Sequence, residues 1–331
     1  MGKTKIFFAY KHTDEPWGGA NNFIRTLYSE LEKDSEFAVH HDADSNSGIL
    51  FFSHLSYGPG NVALGSSRLY PLSLIKKLKK KSGAKLVVRA VNLRVNSEKP
   101  GLLGLPIYLK NGLISDINTI KLVNLADFVI FQSEFQRSFF KKWGYGGKND
   151  TVIHNGAPAI FQNDDYISGK GHHEPLRLVS NSNFKTFKRH DIVAKISLLE
   201  GTSVIHVGRW SDRIKNHKVD VRGTLTHEEI REIYKNCDYL LHPAVYDPCP
   251  NSVVEALHFG LPVIYSNKEG SSEELVRGNG VAIDENDLKK TIQLAKENFT
   301  VLKQKLSNDR GYYSIGRAVT MYKDAFNKFK K

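Results

Sequence analysis

The chain has 331 residues, a length that fits two α/β domains of roughly 150 residues each better than a single domain. Hydrophobic residues make up 40% of the chain and charged residues 25%, a globular composition that excludes a disordered or fibrous protein. The formal net charge of +12 fits nucleic acid, an anionic membrane surface or a phosphorylated small molecule, so charge does not identify the partner.

The cysteine content indicates a reducing compartment. Cys237 and Cys249 are too few for a disulfide framework, and the thirteen histidines lack the paired cysteine spacing of a zinc site. The apolar run at residues 6–10 is too short for a signal-peptide core, and no run of about 18 apolar residues occurs. The acid pair Asp42 and Asp44 is isolated, so we expect no metal site there. We expect a cytoplasmic protein, with peripheral attachment to a membrane left open.

The first half of the chain alternates short β-branched and aromatic runs with helical stretches. This alternation is typical of a parallel sheet with helices on both faces. Strands are expected at residues 5–10, 48–53, 85–91, 127–133 and 151–154. A basic amphipathic helix is expected between the second and third of these strands. Its lysines are Lys76, Lys77, Lys79, Lys80 and Lys81. We interpret their side of the helix as a solvated face, with contact to anionic lipid headgroups as the alternative.

A second alternating series follows a polar stretch at residues 156–175, which we interpret as the interdomain linker. Thr226 and Glu229 have the spacing of a capping box at the start of one of its helices. Strands are expected at residues 176–180, 203–207, 238–242 and 261–266, and helices at 189–199, 227–235, 250–259 and 311–331. We therefore expect two Rossmann-like domains, 1–160 and 161–310, facing a cleft, and a terminal helix, 311–331, that packs back on the first domain.

The most informative segment is CDYLLHPAVYDPCPNSVVEALHFGLPVI, residues 237–264. Its pattern predicts a strand, a loop, a helix that begins at Pro250 and ends at Gly260, and a second strand. The first turn of that helix, Pro250-Asn251-Ser252, offers free N–H groups and the positive end of the helix dipole to an anion. An anion site is thus expected at the end of the preceding strand.

Two carboxylates, Asp247 and Glu255, bracket this turn eight positions apart. A carboxylate accepts two hydrogen bonds from a vicinal diol, so one acid of this kind can hold a ribose and another the hydroxyls of a sugar. Two unrelated acids beside a packed helix are the alternative.

The segment resembles the donor-binding signature of the retaining glycosyltransferases of family 4, which have the GT-B fold. That signature has a Glu, seven residues, Glu-Ala-Leu or Glu-Ala-Met, then a Gly and Pro-Val-Ile. Here Asp247 stands at the first Glu, and the sequence continues with Glu255-Ala256-Leu257, Gly260 and Pro262-Val263-Ile264. The stretches GGANNFIRTL from Gly18 and GSSEELV from Gly270 are similar to the family's glycine loop and to the loop after the signature.

The resemblance implies roles for individual residues. Glu255 would bind the ribose of the donor and Asp247 its sugar. Lys188, at the position of a family lysine, would hold the diphosphate. The other implied donor contacts are Pro250, Asn251, Ser252, Gly18, Gly19 and Asn183.

Besides Asp247 in place of the first Glu, this chain departs from the family at two further places. Asn183, or Ser182 in another alignment, stands where the family has an arginine, and Lys185 or Arg189 is a candidate replacement. In the first domain Arg89 and Asn92 stand where the family often has a histidine. We name no general base, although Asp116 and His154 stand near expected strand ends.

The sequence thus predicts a retaining, metal-independent hexosyltransferase that needs no cofactor. Its donor is expected to be a UDP- or GDP-sugar and its acceptor a glycan or a lipid-linked molecule. A nucleotide-sugar 2-epimerase of the same fold is one alternative. A basic nucleic-acid-binding or scaffold protein is the other, although we expect no nucleic-acid partner.

Overall fold

The structure, a computed structural model, describes residues 3–9, 19–42, 46–53, 72–97, 112–163 and 171–329. The chain divides into two compact units. The first is Met1–His154 together with Ala318–Lys331, and the second is Asn155–Arg317. The chain therefore enters the second unit once and returns to the first.

The first unit contains a six-stranded sheet in the order β2-β1-β3-β4-β5-β6, in which all neighbouring strands are parallel. The strands are β1 (Thr4–Phe8), β2 (Phe37–His40), β3 (Ile49–Phe52), β4 (Lys85–Arg89), β5 (Phe128–Phe131) and β6 (Asp150–Val152). Both faces of the central strands are buried, which explains why these strands are continuously apolar and do not alternate.

Helices cover this sheet. They are α1 (Gly19–Glu32), α2 (Leu72–Ser82), the short α3 (Arg94–Ser97), α4 (Leu113–Leu125) and α5 (Glu134–Lys142). Ile75 of α2, Leu122 of α4 and Phe140 of α5 belong to one buried cluster with Phe52 and Phe131 of the sheet. These three helices thus share a single core on one face of the sheet.

The second unit has another all-parallel sheet, in the order β12-β11-β10-β7-β8-β9. Its strands are β7 (Leu176–Asn181), β8 (Thr202–Val207), β9 (Asp220–Val221), β10 (Tyr239–His242), β11 (Val263–Tyr265) and β12 (Gly280–Ala282). The chain runs from β7 outward to β8 on one side and continues later with β10 on the other. The order of the sheet therefore reverses between β7 and β10, and such switch points are where open α/β sheets bind ligands.

The helices of the second unit are α6 (His190–Ser197), α7 (His227–Lys235), α8 (Asn251–Phe259), α9 (Ser272–Val276) and α10 (Leu288–Asp309). Thr226 caps α7 as predicted: its hydroxyl accepts a hydrogen bond from the Glu229 N–H, and the Glu229 carboxylate accepts one from the Thr226 N–H. Gly260 ends α8 in the left-handed conformation, with φ of 101°. The sequence predicted both features.

The terminal helix α11 (Ile315–Asn327) crosses the boundary between the units, and residues from Ala318 onward belong to the first unit. Its Tyr322 and Phe326 pack edge-on against Phe51, with ring centroids 6.2 Å and 5.5 Å away. Lys323 forms a 2.5 Å ion pair with Asp34. The amphipathic face predicted for this helix therefore completes the core of the first unit.

The predicted fold class, two Rossmann-like α/β units, is confirmed. All nine expected strands form, although most are a few residues shorter than predicted. Three further strands, β2, β9 and β12, were not predicted because they are short and lie toward the sheet edges, where few apolar residues are needed.

Two sequence interpretations need correction. The terminal helix begins at Ile315 instead of residue 311, because residues 310–313 form a separate 3-10 turn. Within the stretch interpreted as a linker, residues 156–163 and 171–175 belong to the second unit, whereas residues 164–170 lie outside the described residues. Phe161 is buried in the core of the second unit, and His173 is held by Asp238, whose carboxylate accepts hydrogen bonds from its N–H and contacts its Nδ1 at 2.8 Å.

The pairing of β11 with β12 gives a first prediction. Gly280 lies opposite Val263, and a Cβ added at Gly280 would overlap the Val263 carbonyl oxygen. Gly280→Ala should therefore lower the free energy of unfolding by about 1–3 kcal/mol, the usual range for overpacking. Urea denaturation measures this loss.

Gly311→Ala is the matched control, since a Cβ at Gly311 meets no atom within 4 Å. Its free energy of unfolding should stay within about 0.5 kcal/mol of the wild type. Equal stability of both variants would contradict the close packing of β11 against β12.

Candidate functional site

The first turn of α8 lies at the carboxyl end of β10, beside the point where the sheet order reverses. Pro250 precedes the helix in an extended conformation, and no side chain caps the first turn. The Pro250 carbonyl accepts the N–H groups of Val253 and Val254, whereas Asn251 and Ser252 precede the first residue bonded in this way. Their N–H groups lie at the positive end of the helix dipole, as an anion site requires.

The loop that carries Asp247 is fixed by its neighbours. The Val245 N–H donates to the Phe187 carbonyl at 2.9 Å, and the Asp247 carbonyl accepts both the N–H and the hydroxyl of Ser271, each at 3.0 Å. Tyr246, between them, has a positive φ of 58°. The loop is therefore held from two sides, by the segment after β7 and by Ser271 at the start of α9. The sequence gave Phe187 and Ser271 no role, because it does not show which backbone groups of the loop they meet.

Lys188 and Asp247 form the central ion pair of the site. The Lys188 ammonium donates to Asp247 Oδ2 at 2.5 Å, and their side chains are only 18% and 12% exposed. Burial alone would raise the pKa of Asp247, but the Lys188 ammonium and the N–H of Cys249 outweigh it and lower that pKa. Asp247 therefore stays ionised and the pair is charged.

His242, the last residue of β10, is buried next to this pair. Burial and the nearby Lys188 charge lower the pKa of His242 to about 3, so its imidazole is neutral. Its Nε2 is buried with no hydrogen-bond partner among the described residues. The sequence placed His242 at a strand end but gave no reason to connect it with Lys188, which is 54 positions away.

Glu255 is the most unusual acid of the site. It lies five residues into α8, is 6% exposed, and forms no hydrogen bond or ion pair with any described residue. Burial raises its pKa to about 7. A carboxyl group without a partner in a buried position costs free energy in the unliganded protein, and such groups occur where a ligand supplies the missing partner.

The candidate replacements for the family's arginine occupy different positions. Arg189 is engaged by Asp191 and Glu285, at 3.0 Å each. The ammonium of Lys185 lies 5.8 Å from the centre of the Phe187 ring. Asn183 accepts the Arg209 N–H at 3.0 Å and so joins the loops after β7 and β8. Within the described residues Lys185 forms no ion pair with a carboxylate, so of the two cations it is the better placed to replace the family's arginine.

Some predicted site residues belong to the first unit. Gly18 lies outside the described residues, and Gly19 is the first residue of α1, so their predicted contacts with the donor remain predictions. Asp116 accepts hydrogen bonds from the N–H groups of Arg94 and Val95 and thereby caps α3. This structural task explains its burial and removes it as a candidate base.

The basic helix α2 forms as predicted. Ile75 is buried under it, and Lys79 is drawn into an ion pair with Asp127 at 2.9 Å, while Lys76, Lys77 and Lys80 remain exposed. Lipid contact remains a prediction. Of the helices in the described part of the chain, none combines the length and the apolarity needed to span a bilayer. Across those same residues, no group of three or more His, Cys, Asp or Glu is arranged to bind a metal ion.

Part of the second unit matches a known protein family. Residues 209–314 match the family described as glycosyl transferases group 1. The matching region includes Asp247, the first turn of α8, Glu255 and the GSSEELV segment. A search of curated proteins finds no significant sequence match.

Solved structures resemble this chain over nearly its whole length. HepE of Anabaena, solved with UDP and glucose, is 13% identical, has a TM-score of 0.66, and aligns over 98% of this chain and all of its own. Sucrose-phosphate synthase of Thermosynechococcus elongatus is also 13% identical, with a TM-score of 0.69 and coverage of 98% and 99%. WaaG, a glycosyltransferase involved in lipopolysaccharide biosynthesis, is 16% identical, with a TM-score of 0.62 and coverage of 97% and 99%. At these identities the matches establish the GT-B fold.

The raised pKa of Glu255 predicts a pH-dependent effect on stability. An ordinary glutamate has a pKa of 4.5, and burial moves it to about 7, so ionisation disfavours the folded state. Below pH 4.5 Glu255 is protonated in both the folded and the unfolded state, so it does not lower the free energy of unfolding. Between pH 4.5 and 7 Glu255 ionises in the unfolded state first. The free energy of unfolding falls over this range, and the total decrease reaches about 3 kcal/mol above pH 7.

Glu255→Gln removes this ionisation without changing the size of the side chain. Its free energy of unfolding should exceed that of the wild type at pH 8 by up to about 3 kcal/mol, and match it near pH 4. Urea denaturation at both pH values measures the difference. A constant offset between the two proteins at both pH values would contradict the assignment of a raised pKa.

Removing the charge of Glu255 should stabilise the protein, whereas removing the charge of Lys188 should destabilise it. Lys188→Met leaves the Asp247 carboxylate buried without its cation and should lower the free energy of unfolding at pH 7 by about 3 kcal/mol. Adding Asp247→Asn should recover most of the lost free energy of unfolding, because the uncompensated buried charge is removed. Lys235→Met is the control. It breaks an exposed pair with Glu232 and should cost about 0.2–1 kcal/mol. Additive losses in the double variant would show that the pair is not coupled.

Proposed function

We propose that this chain is a retaining glycosyltransferase whose donor is a UDP- or GDP-sugar bound at the carboxyl edge of the second sheet. The observation that carries the proposal is Glu255, a buried carboxyl group with no hydrogen-bond or ion-pair partner in the described part of the chain. It lies one turn inside a helix that has no side-chain N-cap. A ribose offers the vicinal hydroxyls that this carboxylate lacks, and a diphosphate offers the anion that the helix end attracts. The HepE structures contain UDP, UDP-glucose or glucose.

In this proposal the leaving diphosphate is stabilised by fixed positive groups. Lys188 and the N–H groups of Asn251 and Ser252 carry that role, so the route is independent of a metal ion. Asp247 orients Lys188 and meets the hydroxyls of the donor sugar, which makes these two residues the catalytic pair. Since the leaving phosphate can accept the proton of the acceptor hydroxyl in front-face retention, the reaction requires no side-chain base.

The acceptor is proposed to be a glycan or a lipid-linked molecule. Exposed lysines on α2 would suit an anionic acceptor or an anionic membrane surface, since Lys76, Lys77 and Lys80 have exposed side chains. Gly18 and Gly19 would approach the donor from the first unit.

Calorimetric titration with UDP and GDP tests the donor site. One nucleotide should bind in the micromolar range, and Glu255→Ala should weaken it about ten- to a hundredfold, as expected for loss of a charged or bidentate hydrogen bond. Asn298→Ala, on the exposed face of α10, is the control and should bind like the wild type. Absence of binding to both nucleotides, or unchanged affinity in Glu255→Ala, would falsify the proposal.

The chemistry is tested separately by following an intact UDP-sugar or GDP-sugar with NMR. Transfer releases the free nucleoside diphosphate and keeps the anomeric configuration of the sugar in the product. Appearance of the 2-epimer of the donor, with no nucleotide released, would establish the epimerase alternative.

A further inference from the structure

The chain passes between the two units at residues 154–155 and again at 317–318. The segments beside these crossings pair with each other. The Ala157 N–H donates to the Tyr313 carbonyl at 2.7 Å, and the Ile315 N–H donates to the Ala157 carbonyl at 3.0 Å. Together they form a parallel bridge between Ala157 and Ser314. We call residues 155–157 and 313–315 the paired crossing.

The paired crossing is tightly packed. A Cβ added at Gly156 would lie 2.5 Å from both the Ser314 carbonyl oxygen and Ile315 Cα, so only glycine allows the two segments to approach this closely. Ala157 and Tyr313 are each 1% exposed. Residues 155–157 therefore cannot move without a matching movement of residues 313–315.

Asn155, the first residue of the paired crossing, is bound to the first turn of α8. Its amide Nδ2 donates to Asn251 Oδ1 at 2.8 Å, and its backbone N–H points to Cys249 Sγ at 3.4 Å. Asn155 is 3% exposed, so water does not compete for these contacts. The same helix end that offers N–H groups to an anion is thus joined by one side chain to the point where the chain enters the second unit.

We propose that Asn155 is a positioning residue that couples nucleotide binding at the first turn of α8 to the order of the paired crossing. The proposal rests on the proposed function, since it takes the nucleotide as the ligand of α8. A ligand that immobilises Asn251 and Ser252 also immobilises Asn155, because Asn155 is hydrogen-bonded to Asn251. The two segments of the paired crossing, which are hydrogen-bonded to each other, then lose freedom together. Ligand binding and the order of the paired crossing are thus coupled in free energy.

Hydrogen exchange of the Ala157 and Ile315 amides, measured with and without saturating UDP or GDP, tests the coupling. In the wild type the nucleotide should slow exchange at both amides about fivefold or more, because their bonds close the paired crossing. In Asn155→Ala the nucleotide should still bind within about threefold of the wild-type affinity, but the slowing should fall below about twofold.

Asn155→Ser is the second variant, since its hydroxyl keeps the position polar but is too short to reach Asn251. It should behave like Asn155→Ala, whereas Asn298→Ala should retain the wild-type slowing. Full slowing in either Asn155 variant overturns the coupling and leaves the proposed function intact. Failure of the wild type to bind either nucleotide overturns the proposed function itself, and the coupling with it.

Discussion

The buried ion pair between Lys188 and Asp247 is the constraint on which the candidate site depends. It joins the segment after β7 to the loop after β10, and these two strands are neighbours at the point where the sheet order reverses. Two charges removed from water are stable there only while both are present and oriented. The backbone bonds from Phe187 and Ser271 hold the loop in the conformation that keeps them together. The chain thus maintains a charged pair at the position where a charged ligand would bind.

The second constraint is that Glu255 remains without a partner. Elsewhere in the second unit buried acids are satisfied: Asp238 accepts hydrogen bonds from the backbone N–H groups of His173 and Arg177. Glu255 has no such bonds with the described residues, and its raised pKa reflects the free-energy cost of burying an ionised carboxylate. A stable fold would gain by replacing it, so its presence is best explained by a ligand. Stability and binding are in opposition at this residue.

The sequence predicted the parallel sheets because buried strands such as ILFF and YLLH are continuously apolar, and it predicted the ends of α7 and α8 because Thr226 and Gly260 have specific local effects. It could not predict β9, a two-residue edge strand whose residues are both exposed. Asp247, Glu255 and Lys188 were identified through the resemblance of a motif. The sequence did not predict contacts such as that of Asn155 with Asn251, because they depend on which loops meet in the fold, and these two residues are 96 positions apart.

The terminal helix has a consequence for biosynthesis. Tyr322 and Phe326 fill the core of the first unit, yet they are translated after the whole of the second unit. While the chain emerges from the ribosome, Phe37 and Phe51 therefore lack the aromatic side chains that cover them. Nascent domains normally fold in the order in which they are made. Here the first to be made must be the last to be completed, and its unfinished apolar surface is the natural target for a chaperone during that interval.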